Sequence, residues 1–235
     1  MCKLKVVFIL TVVLLLCASM ESRAAIRIIK LPEPETRGRV SVEEAIYKRR
    51  SVRSFADAPL SLKEVSQLLW AAGGKTVDGI TGPTRAYPSA GAVYPLEVYL
   101  VAGNVTGLDP GVYRYNWKDN SLIPVREGDF RADLSMASLG QRMITQAPAT
   151  LVVTMIPAKI VGRYGKRGLE KYTSMDAGHL GQNVHLQAGG MGLGTVMVGA
   201  FRDHEVSEVL GIKTREEVPL YIMPVGRPFE QAEGA

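Results

Sequence analysis

Apolar residues recur along this chain in two rhythms, one near 3.6 residues and one of two, and the switches between them outline the elements. Val6 to Leu16 comes first, an apolar run broken only by Thr11. Residues 26–40 carry Pro32, Pro34 and Gly38, which oppose a helix, and read as an extended arm. Ser41-Val42-Glu43-Glu44 has the form of a capping box, so a helix begins there with Val42, Ala45 and Ile46 as its apolar stripe. A second box, Ser61-Leu62-Lys63-Glu64, opens a helix with the stripe Leu62, Val65, Leu68, Leu69 and Ala72, stopped by Gly73-Gly74. Lys75 to Pro88 shows neither rhythm and reads as loop.

Past Pro95 the period becomes two. Val98, Leu100 and Ala102 alternate with Tyr99 and Val101, and Val112–Trp117 with Leu122–Val125 predict a hairpin around Asp119-Asn120. Phe130 to Met143 reads as helix. Ala149 to Ile156 is a continuous β-branched run, hence a strand buried on both faces. Leu169 to Met191 predicts a long helix whose small residues (Ala177, Gly178, Gly181, Ala188) allow close packing. Gly192 to Phe201 returns to strand. Asp203 caps a short helix through Val206, Val209 and Leu210 that Gly211 closes, and Pro219 to Val225 is the last strand. Helices at both ends with hairpin-connected strands between them predict an α+β fold. Residues 41–228 show no repeat or linker and read as one domain, with a tail at 229–235.

Charge and cysteine usage change the picture at the N-terminus. Lys3 and Lys5 precede the apolar run, and Ser22-Arg23-Ala24 follows it as a small-x-small cleavage site. Residues 1–25 therefore read as a signal peptide of a secreted or periplasmic protein. An uncleaved N-terminal anchor is the alternative, and a lipid anchor at Cys17 another, although Leu16 is large for the position before it. The run is short for a membrane span. Cleavage removes Lys3, Lys5, Arg23 and Glu21, so the formal charge falls from +5 to +3, too mild to argue for nucleic acid. Cys2 and Cys17 leave with the signal, which excludes disulfides, thiolate metal sites and cysteine nucleophiles from the mature chain. His179 and His185 stand six apart and form no metal-ligand spacing, and no Gly-x-Ser-x-Gly elbow supports a hydrolase.

Four segments carry candidate chemistry. Arg49-Arg50-Ser51-Val52-Arg53 crowds three guanidinium groups at a helix end; the cluster suits a phosphate monoester, and it also suits a solvated helix terminus. Pro88-Ser89-Ala90-Gly91-Ala92-Val93-Tyr94-Pro95 is a small-residue loop whose backbone can approach a flat ligand, or a plain connector. Gly192-Leu193-Gly194-Thr195, continuing to Gly199, has glycines after a helix and before a strand, the reverse of the dinucleotide fingerprint. Gly226-Arg227 presents another cation just after a buried strand.

In this order and spacing the four segments resemble the nitroreductase superfamily of FMN-dependent oxidoreductases over about residues 41–228. Pro88-Ser89-Ala90-Gly91 through Glu97, Asp176-Ala177-Gly178-His179-Leu180-Gly181-Gln182-Asn183, and Gly199-Ala200-Phe201 are similar to the SagB/ThcOx-type branch, which includes azoline dehydrogenases. The resemblance implies a mostly antiparallel sheet surrounded by helices and an intertwined homodimer with FMN at its interface. It implies that Arg49, Arg50 and Ser51 hold the phosphate and ribityl chain, that Arg53 stands near the pyrimidine side of the flavin, and that Arg227, beside Gly226, closes the phosphate site. Gly194 and Thr195 belong to the same cradle, the N–H of Gly199 faces flavin N5, and Pro88, Ser89, Ala90 and Gly91 come from the partner subunit. Branch members carry a Lys-Tyr pair near the flavin; here Lys171-Tyr172 is the matching candidate, to be weighed against an ordinary exposed lysine and packing tyrosine. The expected activity is two-electron hydride transfer on a small molecule or peptide. The alternatives are a general NAD(P)H-dependent nitro or quinone reductase and a flavin-binding module without turnover.

Overall fold

The computed structural model describes residues 27–79 and 82–229, so the expected signal at 1–25 and all of the expected 229–235 tail but Phe229 lie outside the described residues. The arm is docked on its own chain. Ile29–Lys30 forms β1, the Leu31 N–H donates to Asn120 O at 3.0 Å, and Ser66 Oγ and Asn120 Nδ2 both donate to Pro32 O. Helix α1 (Val42–Lys48) starts where its cap predicts, with Ser41 Oγ accepting from the Glu44 N–H. The Glu44 carboxylate turns to Lys48 at 2.7 Å instead of back to the cap. No residue of α1 is buried within the chain: of its stripe Val42 is 65% exposed and Ile46 55%, and the neighbouring Tyr47 is 89% exposed.

After β2 (Leu60–Ser61), α2 (Leu62–Gly73) opens on a complete capping box, Ser61 and Glu64 bonding each other's backbone, and buries Val65, Leu68, Leu69 and Ala72. The stretch read as loop is in fact a hairpin, β3 (Lys75–Gly79) against β4 (Gly82–Arg85). It was hidden because its strands bury little apolar surface and so lack alternation. Strands β5 (Leu96–Ala102), β6 (Val105–Thr106), β7 (Gly111–Asn116) and β8 (Ser121–Glu127) follow, with the β7–β8 hairpin at the expected turn.

The helix expected over Phe130–Met143 is two pieces, α3 (Arg131–Ala137) and α4 (Met143–Gln146), because Leu139 and Gly140 take positive φ between them. Strand β9 (Ala149–Met155) is buried throughout. Helix α5 (Pro157–Arg167) has no counterpart in the sequence reading, since Gly162 and Gly165 interrupt its pattern. A single π-type turn, Gly168–Tyr172, joins it to α6 (Thr173–Gly190). Regular strand after α6 shrinks to β10 (Gly194–Thr195) plus a bridge between Val198 and Ile222. Helix α7 (Asp203–Leu210) is capped by Arg202, not Asp203, and closed by Gly211 in the left-handed region; β11 (Val218–Gly226) ends the fold.

One seven-stranded sheet runs β1-β8-β7-β5-β9-β11-β10, every pair antiparallel. Val98, Leu100, Leu151 and Val153 face α2 and α6 through Leu68, Leu69, Leu180 and Val184. Tyr99, Val101 and Val152 face α3, α4 and α7 through Leu134, Ile144 and Val206. Helices thus cover both faces, which explains why β9 reads as an unbroken apolar run. The α+β class holds.

Candidate functional site

The arginine segment leaves α1 and lies down along the β10 edge of the sheet. Arg49 is the C-cap of α1. Ser51 bridges Thr195 in the parallel sense, and the Val52 N–H donates to Thr195 O at 3.0 Å. Further along, Phe55 bridges Pro228, the Ala56 N–H donates to Arg227 O, and the Phe229 N–H donates to Ser54 O, both at 3.0 Å. Segments from the two ends of the chain and from the α6–β10 connection are thereby stitched into one layer.

Two side chains pin the segment. Gly194 pairs with Gly226 across β10 and β11. A Cβ on Gly194 would stand 2.6 Å from Val52 Cβ, and one on Gly226 would stand 2.8 Å from Pro148 Cδ and 3.1 Å from Phe55 Cδ1. Both glycines are buried under Val52 and Phe55, so their place is beneath the segment and not on its outer side. With the apolar residues turned inward, Arg49, Arg50, Ser51 and Arg53 are left exposed.

Among the described residues, no carboxylate pairs with Arg49, Arg50 or Arg53. Arg227 is different: its Nη2 lies 2.9 Å from Glu64 Oε1. Burial opposes ionisation of Glu64, but hydrogen bonds from Ser61 and Arg227 outweigh it and hold the carboxyl below its ordinary range. The backbone of Arg227 therefore sits beside the arginine segment while its guanidinium is engaged at the start of α2. His185 is buried on α6, and burial first, then the charge of Arg49, lowers its pKa. Beside Ser51, the Thr195 hydroxyl is buried with no hydrogen-bond partner among the described residues.

The Pro88–Gly91 loop is clamped by one face of α6. Ser89 Oγ donates to Asp176 Oδ2 at 2.5 Å, and the Ala90 N–H donates to Asp176 Oδ1 at 3.3 Å. His179 Nδ1 lies 3.4 Å from Pro88 O, and Asn183 Nδ2 donates to Ala86 O at 2.8 Å. Positions 176, 179 and 183 are i, i+3 and i+7, a single helix stripe. That spacing was visible in the sequence, but its purpose was not. Burial raises the Asp176 pKa, offset in part by its bonds to Ser89 and Ala90. Gly91, Ala92 and Tyr94 all take positive φ (57°, 54° and 51°), so the loop carries backbone strain that these contacts hold in place.

Tyr172 meets the same loop through one intermediary. Its ring packs edge-on against Tyr164 at 4.9 Å, and the Tyr164 hydroxyl stands over Gly91, where a Cβ would come within 2.3 Å of it. Arg167 Nε donates to the Tyr172 hydroxyl at 3.1 Å. Lys171, on the π-type turn, is exposed. Gly199 follows the Val198–Ile222 bridge, is exposed, and has nothing within 4 Å of a Cβ position.

The Nitroreductase family description matches residues 46–227. The Methanocaldococcus jannaschii protein MJ1384, itself a nitroreductase by provisional name, is 41% identical over 202 residues, covering 86% of this chain and 97% of that one. A crystal structure from Ralstonia eutropha JMP134, provisionally named in the same way, superimposes with a TM-score of 0.74 at 30% identity, covering 87% of this chain and 91% of its own. The Escherichia coli microcin synthetase McbBCD complex, with truncated pro-MccB17 bound, contains a chain that matches with a TM-score of 0.68 at 25% identity, covering 91% of this chain and 82% of its own.

Proposed function

Since the chain belongs to the nitroreductase family and has relatives of the SagB type, we propose that it is an FMN-dependent dehydrogenase acting on a small molecule or peptide. The observation that carries this reading is the exposed Arg49-Arg50-Ser51-Arg53 rim, unpaired with acid among the described residues, beside the Thr195 hydroxyl, which has no hydrogen-bond partner among them either. Guanidinium forks match phosphate oxygens in pairs, so a rim of three suits the dianionic end of FMN. A buried hydroxyl left without a partner is costly unless a ligand satisfies it. The residues therefore fit the cofactor. Arg49, Arg50 and Ser51 would hold its phosphate end, and Arg53 would place positive charge toward its ring. Arg227 would join them by exchanging Glu64 for the anion.

FMN, when bound, supplies a ring that accepts or gives two electrons as hydride. The chain's own part is to bind, orient and move a proton. Val52 and Phe55 fix the rim to the sheet, and the α6 stripe fixes the Pro88–Gly91 loop, which we assign to the facing subunit of a homodimer. Removing hydride from a substrate C–H also requires removing a proton from its neighbour. Lys171 and Tyr172, the latter braced by Arg167 and Tyr164, are the pair we assign to take that proton. Likeness to a chain of the microcin synthetase McbBCD complex, which holds truncated pro-MccB17, supports a peptide as substrate. Residues 1–25 are proposed to direct export, which mass spectrometry of the mature N-terminus tests.

Purified protein is expected to show a visible flavin spectrum that NADH leaves unchanged, and Arg49→Ala with Arg53→Ala is expected to lose it. A colourless protein that FMN cannot reconstitute overturns the reading. Rapid bleaching by NADH replaces it with the reductase. A flavin spectrum without turnover, unaffected by changes at Lys171 and Tyr172, leaves a binding module.

A further inference from the structure

Away from the arginine rim, a cleft of about 640 Å³ opens between β4, the end of the 88–95 loop, β5, the β7–β8 hairpin and the start of α5. Its size is that of a small-molecule site. Tyr94 and Trp117 supply aromatic surface, and Arg114, Lys118 and Lys159 supply charge. Against these three cations, the described lining residues include one carboxylate, Glu97. The Glu97 side chain is only 5% exposed and is already divided: Lys159 Nζ lies 2.5 Å from one oxygen, while Arg114 Nε is 3.7 Å from the other. Lys118 has no acid partner among the described residues; its ammonium lies 5.9 Å from the centroid of the Trp117 ring.

A fourth cation stands behind the aromatic wall. Arg85 is buried, with its guanidinium 5.7 Å from the Tyr94 centroid and 5.2 Å from that of Trp117. It donates to Gly73 O at 2.6 Å and to Leu96 O at 3.1 Å, and among the described residues no carboxylate neutralises it. Peptide carbonyls and ring faces solvate such a charge, but they do not cancel it. The cleft therefore has an electropositive mouth, an electropositive back and flat apolar walls between them.

We propose that this cleft is a binding site for an aromatic carboxylate. The carboxylate would replace Glu97 as the partner of Arg114, whose present contact is long, and would take Lys118 as well. The ring would lie against Trp117 and Tyr94. Rings stack on such walls at offset or edge geometry, and a nearby cation strengthens binding of a ring that carries negative charge.

The test uses the full chain as purified, with 4-hydroxybenzoate as probe and 4-hydroxybenzamide and acetate as controls. Binding is read by calorimetry and by the indole N–H resonances. The chain has two tryptophans, and Trp70, whose indole donates to Lys75 O, is not in the cleft lining and serves as internal reference. 4-Hydroxybenzoate is expected to bind about tenfold or more tightly than either control and to move the Trp117 resonance while leaving Trp70 in place. Binding should weaken with salt. Lys118→Gln and Arg114→Gln should each weaken it by about tenfold. Lys118 is exposed, so that variant reads out even if Arg114→Gln fails to fold. Equal affinity for the amide, equal affinity for acetate, no saturable binding, or a shift confined to Trp70 each overturns the proposal. So does loss of binding in the Arg49→Ala, Arg53→Ala variant, because the probe would then sit on the rim.

Discussion

Val52 occupies the space that a side chain on Gly194 would need: a Cβ there would stand 2.6 Å from both Val52 Cβ and Cγ2. The contact fastens the arginine segment to the sheet edge, so Gly194→Ala should act at a distance on the rim. Overpacking of this kind costs about 1–3 kcal/mol. Urea denaturation should show that loss together with reduced flavin retention. Gly199→Ala meets nothing within 4 Å and should leave stability within about 0.5 kcal/mol of the parent.

Arg49 and His185 give an electrostatic readout of the rim. With the His185 pKa lowered, the unfolded chain holds that proton more firmly than the folded one. Stability therefore rises with pH up to the ordinary histidine value and is level above it. Arg49→Ala should move the His185 pKa upward, seen by NMR titration, and should flatten that rise. Because Arg49 is exposed, the change in stability at neutral pH should stay within about 0.5 kcal/mol, while FMN affinity should fall about tenfold or more.

Asp176 should be the most sensitive point of the loop clamp. Asp176→Ala leaves the Ser89 hydroxyl and the Ala90 N–H without their acceptor, at a cost of about 1–3 kcal/mol. The sign of its pH dependence is opposite to that of His185. A raised carboxyl pKa means the folded chain holds the proton more tightly, so stability falls as pH rises from the ordinary aspartate value through the raised one. Asp176→Asn keeps an acceptor oxygen and should remove this slope in denaturation curves taken across that range.

The exposed α1 stripe predicts a partner. Val42, Ile46 and Tyr47 are the apolar residues a homodimer interface would cover. Ile46→Asp should convert a dimer into a monomer by light scattering and should release flavin if the facing loop completes the site. A parent protein that is monomeric at micromolar concentration would contradict the dimer.

Lys171→Met tests the proton role. Lys171 is exposed, so fold and flavin spectrum should survive while substrate-driven reduction of the flavin slows by about a hundredfold or more. Tyr172→Phe removes the acceptor of Arg167 and should have a smaller effect if the tyrosine only braces the turn.

Much of this molecule could be read locally. Capping boxes, periodicity and the β9 run report interactions within a few residues or the burial of a whole strand, so α2, α7, β5, β9, β11 and the β7–β8 hairpin stand where the pattern places them. The β3–β4 hairpin, α5 and the break at Leu139-Gly140 lack such signals, since weak burial or scattered glycines mask their period.

The chain alone determined which residue types gather near the rim, the loop and the last strand, because motif spacing is a property of sequence. Only the tertiary structure decided how they are used. It placed Gly194 and Gly226 under Val52 and Phe55, drew Arg227 to Glu64, brought His185 within the field of Arg49, and turned positions 176, 179 and 183 into a clamp for the loop. These relations join residues from dozens to more than 150 positions apart. Their geometry follows from how the sheet and helices pack, and no local pattern encodes it.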